Sequence, residues 1–140
     1  MDPRHRGAEP EFDIDYEYGR QGEMFVTSIR KAMQEDRVEV KRDGKFAETG
    51  NLYVEFACLK RGKWSPSGIA TSTSEAWTFV LGDSEVALTL STELLKDVCR
   101  MAYRQGRIAE EKDGSHPTKG VLLKVSTLMA YLRRHKMNGG

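Results

Sequence analysis

The spacing of apolar residues changes several times along the chain. Between residues 19 and 34 they fall three or four positions apart, which predicts a helix with one apolar stripe. Residues 37–43 and 51–58 alternate instead between apolar and polar side chains, as half-buried strands do. A polar segment with an Asp-Gly turn signal separates these two strands, so we expect them to form an antiparallel hairpin.

The pattern after residue 58 predicts further strands and two more helices. Three stretches have the composition of strands, and these are AWTFVLG, SEVALTLS and VLLKVS. Two have helical periodicity, and these are STELLKDVCRMAYRQG and STLMAYLRRHK. Ser91 or Thr92 is the expected N-cap of the first of these helices, and Gly106 its expected end. The stretches LKRGKWSPSG and EEKDGSHPTKG are expected to be loops. This order predicts an α/β fold, with a mixed β-sheet flanked by α-helices.

Length and charge set limits on the organisation of the chain. Its 140 residues suit one domain, which we place at residues 12–140, behind a flexible N-terminal segment of residues 1–11. Residues 1–36 contain nine acidic residues against five Lys and Arg, whereas the remainder contains twelve against seventeen. A modestly basic body is compatible with a polyanionic ligand but does not require one.

Composition argues against several classes of protein. Neither a hydrophobic signal region nor a membrane-length apolar run is present, so we expect a cytoplasmic protein without membrane contact. Cys58 and Cys99 are far apart and are expected to be buried thiols. The three histidines lack metal-ligand spacing, and no glycine-rich phosphate loop indicates a nucleotide cofactor.

The predicted hairpin carries charged residues that could form a site. Glu39, Lys41 and Glu55 would share one face of adjacent strands. Two carboxylates held close together repel each other unless a cation lies between them, and Mg²⁺ needs only one or two such ligands. A nearby lysine would stabilise negative charge on a phosphate. The same alternation is also typical of a solvated strand face without any site, and the spacing alone does not decide between the two.

A longer series of motifs supports the interpretation of these residues as a metal and phosphate site. The helix glutamate Glu23, then VEVKRD, TGNLYVE and PSGIATSTSEAW, resembles the PD-(D/E)XK nuclease superfamily. The resemblance covers about residues 19–82 and is greatest to small phage and bacterial members, including Holliday junction resolvase-like and restriction-like endonucleases. It implies a restriction endonuclease-like core that hydrolyses phosphodiester bonds of DNA with Mg²⁺, for which Mn²⁺ can substitute.

The resemblance assigns roles to individual residues. Glu23 corresponds to the first-helix glutamate, Glu39 (or, as the weaker choice, Asp43) to the first strand acid, and Glu55 to the second. We therefore expect Glu39, Glu55 and Asp43 as metal ligands and Lys41 as the catalytic lysine.

One position departs from the family pattern. Ala57 stands two residues after Glu55, where the family lysine is normally found, so Lys41 would have to act from the neighbouring strand. Alternatively, EVK is itself the acid-x-Lys motif, with Asp13 or Asp15 as its partner acid. The departure also leaves open a non-catalytic nucleic-acid- or protein-binding module that retains the fold. A weaker alternative is a phage-type accessory protein whose strand acids are surface residues.

The segment after the second strand is the candidate DNA contact. A basic loop with an aromatic residue suits phosphate contacts and base stacking. These candidates are Lys60, Arg61, Lys63, Trp64 and Ser67. Branched or structured DNA is the expected substrate, since no sequence-reading module is evident. The resemblance further implies a homodimer with one site for each strand.

Overall fold

The structure is a computed structural model that describes residues 10–112 and 114–135. Contacts divide the chain into two compact units, Met1–Arg37 and Val38–Gly140. The predicted domain of residues 12–140 therefore comprises two units here. Residues 1–9 of the predicted flexible segment lie outside the described residues, while Pro10 begins the first helix.

The first unit contains the helix α1, Pro10–Gln34, which begins well before the predicted start at residue 19. The predicted apolar stripe lies on this helix. Phe25, Val26 and Met33 are exposed, and Ile29 is half-buried.

The second unit contains every strand of the described residues. Its elements are β1 Val38–Asp43, α2 Phe46–Thr49, β2 Asn51–Lys60, β3 Lys63–Pro66, a 3-10 turn Gly68–Ala70, β4 Ala76–Leu81, β5 Ala87–Ser91, α3 Thr92–Arg104, β6 Ile108–Glu111, β7 Thr118–Lys124 and α4 Val125–Arg134. The expected strands and helices after residue 75 are confirmed. Strand β6 is an addition, because its residues belong to or adjoin a stretch expected to be a loop.

These strands form two sheets. One has the order β1-β4-β5, with β1 parallel to β4 and β4 antiparallel to β5. The other is antiparallel throughout, with the order β3-β2-β7-β6. The predicted α/β core with a mixed sheet and flanking helices is confirmed, although the strands are divided between two sheets.

The predicted hairpin of β1 and β2 is wrong. Val38–Asp43 pairs in register with Ala76–Leu81, whereas β2 pairs with β3 and β7. The intervening segment is not a tight turn, because it forms the helix α2 and then the left-handed residue Gly50, whose φ is 69°. Val40, an apolar residue of the alternating pattern in β1, is 59% exposed.

A hairpin does occur one strand later, in the stretch expected to be a basic loop. Lys60 pairs with Lys63, which leaves Arg61 and Gly62 as a two-residue turn with φ values of 52° and 74°. Positive φ at both central residues is the type I′ pattern that matches strand twist. Asn-Gly is the usual signal for it, so Arg-Gly did not reveal the hairpin.

Helix α3 and the two sheets enclose the core of the second unit. Six side chains are almost fully buried there, and these are Leu52, Val54, Phe79, Leu95, Val98 and Leu123. The side chain of Ser91 accepts a hydrogen bond from the backbone N–H of Leu94, which confirms the predicted N-cap. Both cysteines are buried free thiols, as expected.

Among the described residues, no helix combines the length and the apolar character needed to cross a membrane.

Candidate active-site cleft

A cleft of about 680 Å³ is lined by four of the charged residues that the sequence singled out. Strands β1, β2, β4 and β6 contribute to it, together with the segments after β1 and around the 3-10 turn. Its lining includes Glu39, Lys41, Asp43 and Glu55. These side chains therefore line one cleft although β1 and β2 belong to different sheets.

Glu39 and Lys41 enter the cleft from one face of β1. They are two residues apart in a strand, so they point to the same side. Their partners on the parallel strand β4 are Trp77 and Phe79, which also line the cleft. Lys41 Nζ lies 3.0 Å from Glu39 Oε1, with both side chains about half exposed. A cation and a carboxylate are thus paired at the wall of the cleft.

Glu55 is held by the turn that follows β3. The Ser67 hydroxyl donates a hydrogen bond of 2.7 Å to Glu55 Oε2. Gly68 follows in the left-handed conformation with a φ of 54°, and a Cβ placed on it would lie 2.2 Å from the backbone oxygen of Glu55. Only glycine fits there without a backbone shift. The turn therefore approaches Glu55 closely enough to orient its carboxylate.

A β-bulge explains the alanine at position 57. Glu55 pairs with Gly120, but Ala57 pairs with the preceding residue of β7, Lys119, so one residue of β2 is extra. Residues directly opposite each other share a face, and successive residues of β7 alternate. Ala57 therefore lies on the face opposite to Glu55. A lysine at position 57 would point away from the cleft, so the cation nearest to the carboxylates has to come from elsewhere.

Asp43 lies in the cleft, but its oxygens already have partners. Oδ1 accepts a hydrogen bond from the backbone N–H of Lys45 at 3.1 Å, and Oδ2 accepts one from the backbone N–H of Tyr53 at 2.8 Å. The carboxylate thus fastens the end of β1 to β2. This arrangement suits a structural role better than a role as metal ligand.

Tyr53 is a residue of the cleft that the sequence did not single out. Its ring lies over Gly120, where a Cβ would come within 2.5 Å of the ring, and its hydroxyl lies 2.7 Å from Thr118 Oγ1. Burial raises the pKa of the Tyr53 hydroxyl, and the negative charges of Glu55 and Glu111 act in the same direction. Tyr53 therefore carries a neutral hydroxyl at the edge of the cleft. The alternation of β2 could have indicated it, because Tyr53 shares the face of Glu55.

The rim of the cleft is rich in hydroxyl groups and contains one further ion pair. Residues 71–74, with the sequence TSTS, line the cleft, and the Trp77 indole N–H donates to Ser72 Oγ at 3.0 Å. Lys45 Nζ lies 3.3 Å from Glu111 Oε2 at another edge. Hydroxyl and ammonium groups are donors suited to phosphate oxygens.

Most of the residues proposed for DNA contact lie away from this cleft. Lys60, Arg61 and Lys63 are exposed on the β2–β3 hairpin, and none of them lines it. Trp64 is half-buried, with Lys119 Nζ 4.2 Å from its ring centroid, a distance typical of a cation–π contact. Of the five candidates only Ser67 contacts the acids, through Glu55.

The remaining candidates lie outside the strand unit. Glu23 is exposed on α1, as is Asp15, the alternative partner acid. The side chain of Asp13 lies outside the described part of the chain. Within residues that the structure describes, no group of three or more His, Cys, Asp or Glu side chains is arranged to hold a metal ion.

Comparisons with protein-family models, with curated proteins and with solved structures found no match for this chain. The nuclease resemblance therefore stays a prediction from the residues.

Proposed function

We propose that the chain is a metal-dependent DNA endonuclease whose site is the cleft between Glu39 and Glu55. The observation that carries this proposal is the convergence of Glu39, Lys41 and Glu55 on one cleft from strands of different sheets. If these residues were only the solvated faces of two strands, they would not be expected to line the same cleft. Branched or structured DNA remains the proposed substrate, and two copies of the chain would supply one site for each strand.

The donor set fits Mg²⁺ with two carboxylates. Mg²⁺ prefers oxygen ligands, is commonly bound through one or two carboxylates, and retains waters that phosphate oxygens replace. Glu39 and Glu55 would hold the ion, and Asp43, whose oxygens each accept one backbone N–H group, is the weaker candidate. When bound, the ion would supply Lewis-acid stabilisation of a phosphodiester and a water of lowered pKa.

The protein's own groups complete the site. Lys41 stands 3.0 Å from Glu39 and would offset the negative charge that develops on the phosphate. Ser67 fixes one oxygen of Glu55 through its hydrogen bond and so restrains the carboxylate. The role of Glu23 as an assisting acid is implied by the resemblance alone.

Cleavage of a plasmid and of a four-way junction tests this proposal. Wild-type protein should cut at least one of them with Mg²⁺ or Mn²⁺ and neither in EDTA. Glu39→Gln, Glu55→Gln and Lys41→Met should each lose activity by about 100-fold or more, the scale for a catalytic group. Glu85→Gln is the matched control, because Glu85 is exposed outside the cleft and the change is isosteric. Equal activity of Glu55→Gln and Glu85→Gln would refute the site.

A binding module without catalysis is the second candidate. It is favoured by the absence of a three-residue metal group among the described side chains. Calorimetry separates the two functions, since the enzyme requires Mg²⁺ binding that Glu39→Gln abolishes. DNA binding without Mg²⁺ binding or cleavage would favour the module.

A further inference from the structure

Two of the further cavities beside helix α3 share lining residues. One of about 480 Å³ lies between α3 and the four-stranded sheet, with Phe56, Ile69 and Val121 among its apolar lining. The other, of about 460 Å³, lies between α3 and the end of α4. Arg100 and Arg104 line both cavities. The two cavities are therefore neighbouring parts of one surface.

Cations follow α3 along this surface. Lys96, Arg100 and Arg104 recur every four residues, so they lie on one side of the helix and span about 12 Å. Arg134 extends the positive character at the second cavity. The acid in its lining is Asp97, which lies 2.7 Å from Arg100 and accepts a hydrogen bond of 3.3 Å from the Tyr131 hydroxyl. The surface keeps an excess of positive charge.

Each cavity also carries an aromatic pair. Tyr103 meets Phe56 edge to face at 5.5 Å, and Tyr103 is 52% exposed. The rings of Tyr131 and His135 are stacked at 4.2 Å. Proteins bind single-stranded nucleic acid by combining a row of basic side chains with exposed aromatic rings. The basic side chains contact the phosphates, and the bases stack on the rings.

We propose that this α3 surface binds single-stranded nucleic acid, with phosphates along Lys96, Arg100 and Arg104 and a base on Tyr103. An acidic protein would explain the cations, but it has no need of exposed rings beside two cavities. This binding needs no metal, so it goes beyond the proposed nuclease and does not depend on it.

The surface adjoins the cleft through one short turn. Ile69 and Ala70 line the first cavity, while Gly68 and Thr71 line the cleft. A nucleic-acid strand bound along α3 would therefore come close to Glu55 and its partner Ser67. This arrangement suits a branched DNA with a single-stranded arm, because the arm would be bound next to the duplex that is cut.

Fluorescence anisotropy with a labelled oligothymidylate of about 12 nucleotides, in EDTA, tests the proposal. Arg100→Ala/Arg104→Ala should weaken binding and lower the slope of log K against log salt by about 0.7 for each arginine. Arg30→Ala/Lys31→Ala removes the same charge from exposed helix positions on α1 and should leave most of the affinity. Tyr103→Ala should lose on the order of tenfold in affinity, and Tyr103→Phe should retain it. Circular dichroism melts confirm that each variant is folded.

The outcomes separate this proposal from the nuclease. Glu55→Gln should bind the oligonucleotide like wild type, whatever its effect on cleavage. If the two charge variants bind equally well, or if Tyr103→Ala binds like Tyr103→Phe, the surface does not bind single strands. The same holds if polyglutamate of equal charge competes as well as the oligonucleotide, because charge alone would then explain the binding.

Discussion

The close approach of Gly68 to Glu55 makes a sharp prediction for Gly68→Ala. The φ of 54° is unfavourable for any residue with a Cβ, at about 1–2 kcal/mol. The new Cβ would also lie 2.2 Å from the Glu55 oxygen, so the turn or the strand has to shift. Overpacking of this kind costs about 1–3 kcal/mol more. We therefore expect a total loss of about 2–5 kcal/mol.

Gly106→Ala is the matched control for the conformational part. Gly106 follows α3 with a φ of 75°, and a Cβ placed there meets nothing within 4 Å. Gly106→Ala should lower the free energy of unfolding only by the cost of the left-handed conformation, which is about 1–2 kcal/mol. Urea denaturation followed by circular dichroism measures both free energies of unfolding.

The close contact between the new Cβ of Gly68→Ala and the Glu55 oxygen also has a functional consequence. Any shift of the turn displaces Ser67, whose hydroxyl donates to Glu55 Oε2. Gly68→Ala should therefore impair Mg²⁺ binding under conditions in which the protein remains folded, whereas Gly106→Ala should not. Equal losses of stability in the two variants would refute the close approach of the turn to Glu55.

Three further predictions concern the core and the helix cap. Burial raises the pKa of the Cys99 thiol from 9.0 to about 12, so the folded protein keeps a proton that the unfolded chain loses in this range. The free energy of unfolding should fall as pH rises above about 9, and Cys99→Ala should flatten this decline in urea titrations at several pH values. Ser91→Ala removes the cap that Leu94 donates to and should cost about 1 kcal/mol in thermal or urea denaturation; no loss would contradict the cap. The Thr78 and Thr89 hydroxyls lie 2.8 Å apart, so a double-mutant cycle with valine at both positions should give a coupling of about 1 kcal/mol, and additivity would disprove it.

The sequence predicted elements better than it predicted their partners. Alternation and apolar runs identified β1, β2 and β4, because side-chain periodicity is a local property of a strand. Strand pairing is not local, and the parallel pair of β1 with β4 joins residues that are far apart in the chain. The exposure of Val40 follows from the same fact, since the burial of a face depends on what packs against it.

The sequence named three residues that line one cleft, but it did not predict how that cleft is built. Glu39, Lys41 and Glu55 reach one cleft, yet they do so across two sheets and not through the expected hairpin. The bulge after Glu55 changes which face the next residues occupy, and nothing in the alternation of β2 announces it. The contact between Ser67 and Glu55 depends on the turn at Gly68, which propensity does not specify.

The two hydrogen bonds of Asp43 bear on how mutants of this cleft are interpreted. The carboxylate couples the end of β1 to the N–H of Tyr53, so it sets the spacing between the strands that carry Glu39 and Glu55. Loss of activity in Asp43→Ala would follow from a widened cleft just as it would from a missing ligand. Urea denaturation of Asp43→Ala without Mg²⁺ separates these cases, because lost hydrogen bonds lower the free energy of unfolding whereas a missing ligand does not. Asp43 holds β1 and β2 together, so its mutants report on the alignment of Glu39 with Glu55.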